Sequence, residues 1–233
     1  MSRLTRKELK TDRFALEVGH TVTFFEQHRQ QIIRYAGIAL AVLVLLGGYL
    51  IYSRRQHSSR ERALAQAIQI QEAPVGPPTP GQNFNFPTQD AKDQAAVKAF
   101  TDVVSEAGNS TEGFIARYYL GAIQADQGKL GEAEKSFKDV ADQGDAKFAA
   151  LAKLSLAQIY FADGRADQGE KLLRELIASP TIFVSADQAT LTLARYLAPK
   201  KPAEARKLIE PLRSKQGPVG QVALQLYQEL PPQ

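Results

Sequence analysis

Residues that could do acid–base, nucleophilic or metal chemistry are few in this chain and lie mostly near its beginning. The three histidines are His20, His28 and His57, and the 233 residues include no cysteine. Residues 58–233 therefore have neither side chain, which excludes histidine-based proton transfer, thiolate catalysis and the usual zinc ligand sets from that part. The absence of cysteine also excludes disulfides, but it suits an oxidising or a reducing compartment equally.

Paired carboxylates are the other candidates for chemistry, as in Glu132 with Glu134 and Asp139 with Asp142. On charged helices such pairs are far more often a solvated face than a catalytic dyad. The phosphate-binding, nucleophile-elbow and zinc-protease motifs do not occur. The sequence therefore predicts a protein that is not an enzyme, with no cofactor, no metal site and no small-molecule substrate.

The long apolar stretch between Arg34 and Arg54 divides the chain into its main segments. No Asp, Glu, Lys or Arg occurs between Arg34 and Arg54, and a helix of that length spans about 28 Å, close to the hydrocarbon thickness of a bilayer. Tyr35, Tyr49 and Tyr52 stand where aromatic belts form. We interpret residues 35–53 as a single-pass transmembrane helix that remains attached as an anchor, and the lipid bilayer as one of its partners.

Charge is divided unequally by this span. Residues 1–57 carry a net charge of +5 in a chain whose total is +4, so residues 58–233 are close to neutral at −1. This argues against nucleic-acid binding by the folded part. Sidedness stays open: the total charge of the preceding tail favours a cytoplasmic N-terminus, whereas Arg54, Arg55, Arg60 and Arg62 next to the span favour a cytoplasmic C-terminus.

The remaining segments follow from breakers and periodicity. The apolar spacing in residues 1–34 predicts a basic amphipathic tail. This tail can lie on the lipid surface, pack on a helix of a partner, or be merely solvated. Residues 54–73 are predicted to form a helical stalk, since no helix breaker precedes Pro74.

Residues 74–89 are predicted to form a proline-rich loop in which Phe84 and Phe86 can contact the domain surface. Residues 90–233 are rich in alanine and helical throughout, with Asn109, Ser185 and Pro202 marking helix starts.

An internal repeat with an offset of 36 residues runs through this helical region. Leu120-Gly121 aligns with Leu156-Ala157, Ala133 with Gly169, and Phe137 with Leu173. Small residues let paired antiparallel helices approach, and large ones fill the groove between neighbouring pairs. The pattern resembles the tetratricopeptide repeat, and the sequence predicts an all-α fold: one transmembrane helix and an α-solenoid of about three degenerate helix pairs. The predicted repeat-packing residues are Leu120, Gly121, Ala133, Phe137, Leu156, Ala157, Gly169 and Leu173.

The third repeat is weaker. Leu193-Ala194 stands in its first helix, and Pro211 is expected to kink or end its second. Ala96, Phe100 and Val103 form a leading half unit whose natural first helix is the stalk. The final segment, residues 218–230, predicts a capping helix.

In repeat arrays the first helix of each pair lines a concave surface for a peptide or partner helix. Polar or amphipathic side chains on these helices predict a partner groove at Arg117, Gln124, Lys153, Tyr160, Gln188 and Arg195. The protein is then a membrane-anchored scaffold for protein–protein interaction. The alternative is a structural subunit that contacts its partners mainly through span and stalk, where Gly37-x-x-x-Ala41 can meet another helix.

The order of basic tail, single span, stalk and degenerate repeats resembles the YfgM-like family of single-span tetratricopeptide proteins of the bacterial inner membrane. The resemblance implies a cytoplasmic N-terminus, a periplasmic repeat domain, and association with the Sec translocon and periplasmic chaperones. It carries over no catalytic residue. The long proline-rich loop is a departure from a compact member of that family and leaves the identity of the partner open.

Overall fold

The computed structural model describes residues 6–77 and 84–231, with side chains at Gln30 and from Ile33 onward. The chain divides into two compact units, residues 1–58 and 59–233. The predicted amphipathic pattern of the N-terminal tail rests on side chains before Ile33 and so lies outside the described residues.

The first helix, α1, spans Arg6–Glu72. Its large apolar side chains between Ile33 and Tyr52 are all exposed, among them Leu45 at 74%. Within the described part of the chain, Ile33–Glu72 is the single helical stretch long and apolar enough to cross a bilayer. The helix ends two residues before Pro74, as expected from the missing amide hydrogen and the steric demand of proline.

The proline-rich loop is closed at its base by backbone hydrogen bonds. The Gly76 amide donates to the Phe86 carbonyl at 2.9 Å, and the Phe86 amide donates to the Pro74 carbonyl at 3.2 Å. Val75 and Phe86 thereby form an isolated β-bridge. Phe84 and Phe86 are both half-buried.

Eight further α-helices follow in the region that the structure describes beyond the loop. They are α2 (Gln89–Ala107), α3 (Thr111–Asp126), α4 (Leu130–Gln143), α5 (Ala146–Ala162), α6 (Ala166–Ala178), α7 (Ala186–Leu197), α8 (Pro202–Ile209) and α9 (Pro218–Glu229). From α2 to α8 each helix packs against the next. The all-α fold predicted from the sequence is confirmed.

Most helix starts and stops follow the expected signals, with one correction. Ser185 caps α7 by accepting from the Gln188 amide, and Pro202 begins α8. The cap of α3 is Ser110 and not Asn109, because the Ser110 hydroxyl accepts from the Gly113 amide. The Asn109 side chain instead accepts a hydrogen bond from Arg117.

The turns within the first two helix pairs are equivalent. Gly128 and Gly164 both adopt φ of +75°, a conformation that glycine tolerates without a steric penalty. They lie at the same place in the two aligned repeats, 36 residues apart. Each turn returns the chain antiparallel, so that α3 and α5 run in the same direction with α4 between them.

Three hydrophobic clusters follow one another along unit 59–233. The first joins Leu64 and Ala67 to α2 and α3, as expected if the stalk supplies a first helix for the leading half unit. The second is centred on Phe137, and the third runs from Ala150 on α5 to the capping helix α9. Helix α8 ends at Ile209 and is followed by a 3-10 turn over Glu210–Leu212 that contains Pro211. This confirms the prediction that the second helix of the third repeat ends near Pro211.

Candidate partner groove

A groove lies between the first helices of consecutive repeats, and we call it the first-helix groove. Its cavity has a volume of about 370 Å³. Of its ten lining residues, seven belong to α3 and α5, two to α4 and one to α7. The lining consists of Ala122, Ala125, Asp126, Leu130, Phe137, Ser155, Gln158, Ile159, Ala162 and Tyr196.

The floor of the groove depends on close approach between α3 and α4. A Cβ at Gly121 would lie 3.0 Å from Cε1 of Phe137, closer than ordinary van der Waals contact. The Phe137 ring therefore occupies the space that a side chain at residue 121 would need. Phe137 is 2% exposed and also belongs to the lining of the groove, so this close packing of α3 and α4 lies directly beneath it.

One edge of the groove is positioned by aromatic stacking between repeats. A Cβ at Gly169 would lie 2.7 Å from Cε2 of Phe161 and 3.0 Å from the Ala157 carbonyl oxygen. The Phe161 ring in turn stacks on Tyr196, with centroids 4.0 Å apart and planes 9° from parallel. The small residue at 169 thus lets Phe161 hold Tyr196 at the groove.

Polar groups around the groove are free to bind a ligand. Asp126 and Gln158 are exposed, and Ser155 and Tyr196 are half-buried. Within the part of the chain that the structure describes, none of these four side chains has a hydrogen-bond or ion-pair partner. An apolar lining with unpaired polar groups beside it can contact both apolar and polar groups of a ligand.

An ion pair outside the groove connects the two aligned repeats. Nη1 and Nη2 of Arg165 donate to Oε1 and Oε2 of Glu134 at 3.0 and 2.6 Å. Hydrogen bonds from Arg165 and then from Lys138 lower the pKa of Glu134 to about 2. The Arg165 guanidinium also lies over the Tyr160 ring, 4.4 Å from its centroid. These contacts join α4 to the turn that opens α6.

Glu132 and Glu134, one of the two carboxylate pairs named from the sequence, have different binding partners. Glu132 accepts a hydrogen bond from Gln124 at 3.2 Å, whereas Glu134 is bound by Arg165 and Lys138. Each carboxylate therefore has its own partner, which is the arrangement of a structural helix surface.

The six predicted groove residues lie in different environments, and none is among the described lining of the first-helix groove. Arg117 contacts Asn109 and the Phe114 ring. Gln124 is held by Glu132 and Ser136. Gln188 and Arg195 are exposed on α7. Partner contacts of these side chains stay a prediction.

Lys153 and Tyr160 depart most clearly from the predicted placement. Lys153 pairs with Glu175 at 3.1 Å and lines a separate cavity of about 550 Å³ beside Ser179 and Pro180. Tyr160 is 6% exposed and belongs to the cluster around Phe137. Its ring is used for packing and for the contact with Arg165, so it is not open to a partner in this structure.

The residues predicted to pack the repeats lie in the core or at its edge. Ala133, Phe137, Leu156, Ala157 and Leu173 are at most 3% exposed. Gly121 and Gly169 are buried against aromatic rings, and Leu120 is half-buried against the first cluster.

The lining of this cavity was not predicted, because the sequence analysis selected first-helix residues for their polar character. Ala122 and Gln158 each directly follow the small residue of their repeat, Gly121 and Ala157. On a helix the next residue points about 100° away, out of the pair and toward the neighbouring first helix. This register, applied without regard to polarity, would have identified the groove.

Comparison with known families agrees with this architecture. The tetratricopeptide repeat-like domain family matches residues 23–207, which is most of the chain. The chain belongs to this family. No curated protein and no solved structure matches it. Membership in the tetratricopeptide repeat-like family indicates a scaffold with protein partners, and such domains are typically non-catalytic.

Proposed function

We propose that this tetratricopeptide repeat-like chain is a membrane-anchored scaffold that binds a segment of a partner protein in its first-helix groove. The observation that carries the proposal is the groove itself, where an alanine floor is edged by the unpaired side chains of Asp126, Ser155 and Gln158. Backbone groups of a bound segment need hydrogen-bond partners, and apolar side chains need a cavity. The groove offers both.

The apolar part of α1 supports the anchoring role. Ile33, Leu45 and Ile51 are all more than half exposed. Such a long apolar surface is unfavourable in water and favourable in hydrocarbon. We therefore assign residues 35–53 as the span, residues 54–73 as the stalk and residues 90–233 as the repeat domain.

We further propose the bacterial inner membrane as the location, with the N-terminus in the cytoplasm and the repeats in the periplasm. The partners we propose are the Sec translocon and periplasmic chaperones. The likeness to YfgM-like proteins supports this placement. A reporter active only in the cytoplasm, fused after Gln233, tests the sidedness: we expect no signal, and a strong signal contradicts the periplasmic placement.

Site-specific photocrosslinking in intact membranes tests the scaffold function. A photoreactive amino acid replaces Gln158 in the groove, and a matched variant carries it at Lys171, which is exposed on α6 outside the groove lining. We expect discrete partner adducts from position 158 and none from position 171. Equal adducts from both, or none from position 158, contradict binding in the groove.

A structural subunit held through its span and stalk is the second candidate. The exposed apolar side chains of α1 favour it, since they can pack against other membrane helices as well as lipid. Crosslinking from positions 37–64 separates the two functions. Adducts from these positions alone support the structural subunit.

A further inference from the structure

One edge of the first-helix groove is formed by the carboxyl ends of two helices. Because α3 and α5 run in the same direction, their carboxyl ends lie at the same edge, and Asp126 and Ala162 are the last residues of the two helices. Both residues line the groove. The carboxyl end of a helix carries a partial negative charge, so two such ends favour a cation at this edge.

Asp126 adds a full negative charge at the same place. Its carboxylate is exposed and has no ion-pair partner among the residues the structure describes. Arg165, the arginine of the neighbouring turn, is already bound to Glu134 and to Asp163. Lys129 is exposed in the turn after α3 but does not belong to the described lining of the groove. A cationic side chain from a partner is therefore the complementary group.

The floor next to this edge accepts an apolar side chain. The apolar lining next to this edge includes Ala122 and Ala125 of α3 and Ile159 and Ala162 of α5. A volume of about 370 Å³ is large enough for one branched or aromatic side chain. Gln158 belongs to the same lining, and its exposed side-chain amide is unpaired. This amide can both donate a hydrogen bond to an extended peptide backbone and accept one from it.

The spacing between floor and acidic edge fits an extended chain. Asp126 lies one helical turn beyond Ala122, about 6 Å along α3. In an extended peptide, residues i and i+2 point to the same side and are about 6.6 Å apart. If the segment runs parallel to α3, an apolar residue beside Ala122 therefore places the second following residue at Asp126.

We propose that the first-helix groove recognises an extended segment of a partner protein with the pattern apolar-x-basic, in which Leu or a similar residue enters the alanine floor and Lys or Arg pairs with Asp126. This inference rests on the proposed function and names the chemical class of the partner segment.

The test uses the full chain in phosphatidylcholine nanodiscs, with empty discs as the control for lipid binding. Selection from a phage-displayed library of random twelve-residue peptides is expected to enrich apolar-x-basic sequences. Fluorescence anisotropy then measures the affinity of an enriched peptide and of its Lys→Gln version. We expect Asp126→Asn to weaken binding of the basic peptide about tenfold and to leave the Gln version unchanged. Asp126→Lys should in turn favour a Lys→Glu peptide.

A second variant, compared with Asp126→Asn, separates the inference from the proposed function. Ala162→Phe fills the floor at an exposed helix end, and circular dichroism verifies its folding. If this variant abolishes binding while Asp126→Asn has no effect, the groove binds peptides but the basic specificity is wrong. If neither variant changes binding, both proposals are wrong.

The remaining outcomes also decide. Enrichment of acidic peptides overturns the inference. So does a selection that enriches nothing while sedimentation shows self-association that Ala162→Phe abolishes, because a second copy of the chain then occupies the groove.

Discussion

Arg165 binds Glu134 with two parallel hydrogen bonds, 31 residues apart in sequence and from one repeat to the next. The arginine opens α6, and the glutamate lies on α4. Bidentate pairs of this kind fix both distance and angle between the groups they join. The contact therefore links the start of α6 in the second repeat to α4 in the first.

Acid is expected to weaken this docking in a defined pH window. The folded-state pKa of Glu134 is about 2, below its ordinary value of 4.5. The stabilisation is complete above pH 4.5 and is lost as the pH falls from 4.5 toward 2. Glu134→Gln should lower the free energy of unfolding by about 1 kcal/mol at pH 7 and reduce its decline in that window.

Urea unfolding at several pH values, followed by circular dichroism, measures this effect. Glu106→Gln on α2 is the matched control, because Glu106 is exposed and has no ion-pair partner among the described residues. An equal effect of both substitutions would falsify the assigned role of Glu134.

Gly169→Ala is expected to destabilise the fold in spite of the higher helix propensity of alanine. The added methyl group would meet the Phe161 ring at 2.7 Å, and Phe161 cannot move without leaving Tyr196. Overpacking of this kind costs about 1–3 kcal/mol.

Gly131→Ala on α4 is the control for Gly169→Ala, since its Cβ would meet no described atom within 4 Å. It should be neutral or stabilise by up to about 1 kcal/mol. Thermal unfolding of both variants gives the comparison, and a Gly169→Ala protein as stable as the Gly131→Ala protein contradicts the packing argument.

Asp145→Ala is expected to loosen the start of α5. The Asp145 carboxylate accepts from the amides of Lys147 and Phe148, both at 3.0 Å. Loss of such a cap costs about 1 kcal/mol. Asp142→Ala, three residues earlier on the exposed end of α4, is the matched control. Chemical denaturation should distinguish the two, and equal midpoints would rule out the cap.

Leu45→Arg is expected to reduce stable insertion of the chain in the membrane. An arginine at the centre of a span costs about 2.5–3.5 kcal/mol on insertion scales. Leu45→Phe keeps the apolar surface and should behave as wild type. Carbonate extraction of membranes, with the chain detected in pellet and supernatant, measures the difference. A Leu45→Arg chain that stays fully in the pellet argues against the span.

Local signals were readable from the sequence because they depend on near neighbours along the chain. Pro74 ended the first helix, Ser185 capped α7 and the 36-residue offset predicted stacked helix pairs, each through backbone geometry or periodicity. Asn109 was mistaken for the cap of α3 because Asn109 and Ser110 both carry a side-chain oxygen that can accept from a helix amide. Which of the two residues caps the helix depends on backbone angles that the composition does not specify.

The sequence by itself determined the all-α class, the long apolar segment of α1 and the small and large positions of the repeats, because helix periodicity and hydrophobicity act within a few turns. Only the tertiary structure decided which side chains line the groove. Tyr160 was buried by its contacts with the Phe137 cluster and Arg165, whereas Asp126 and Gln158 were left free. Whether a polar side chain finds a partner depends on residues dozens of positions away, and that pairing is a property of the packed helices.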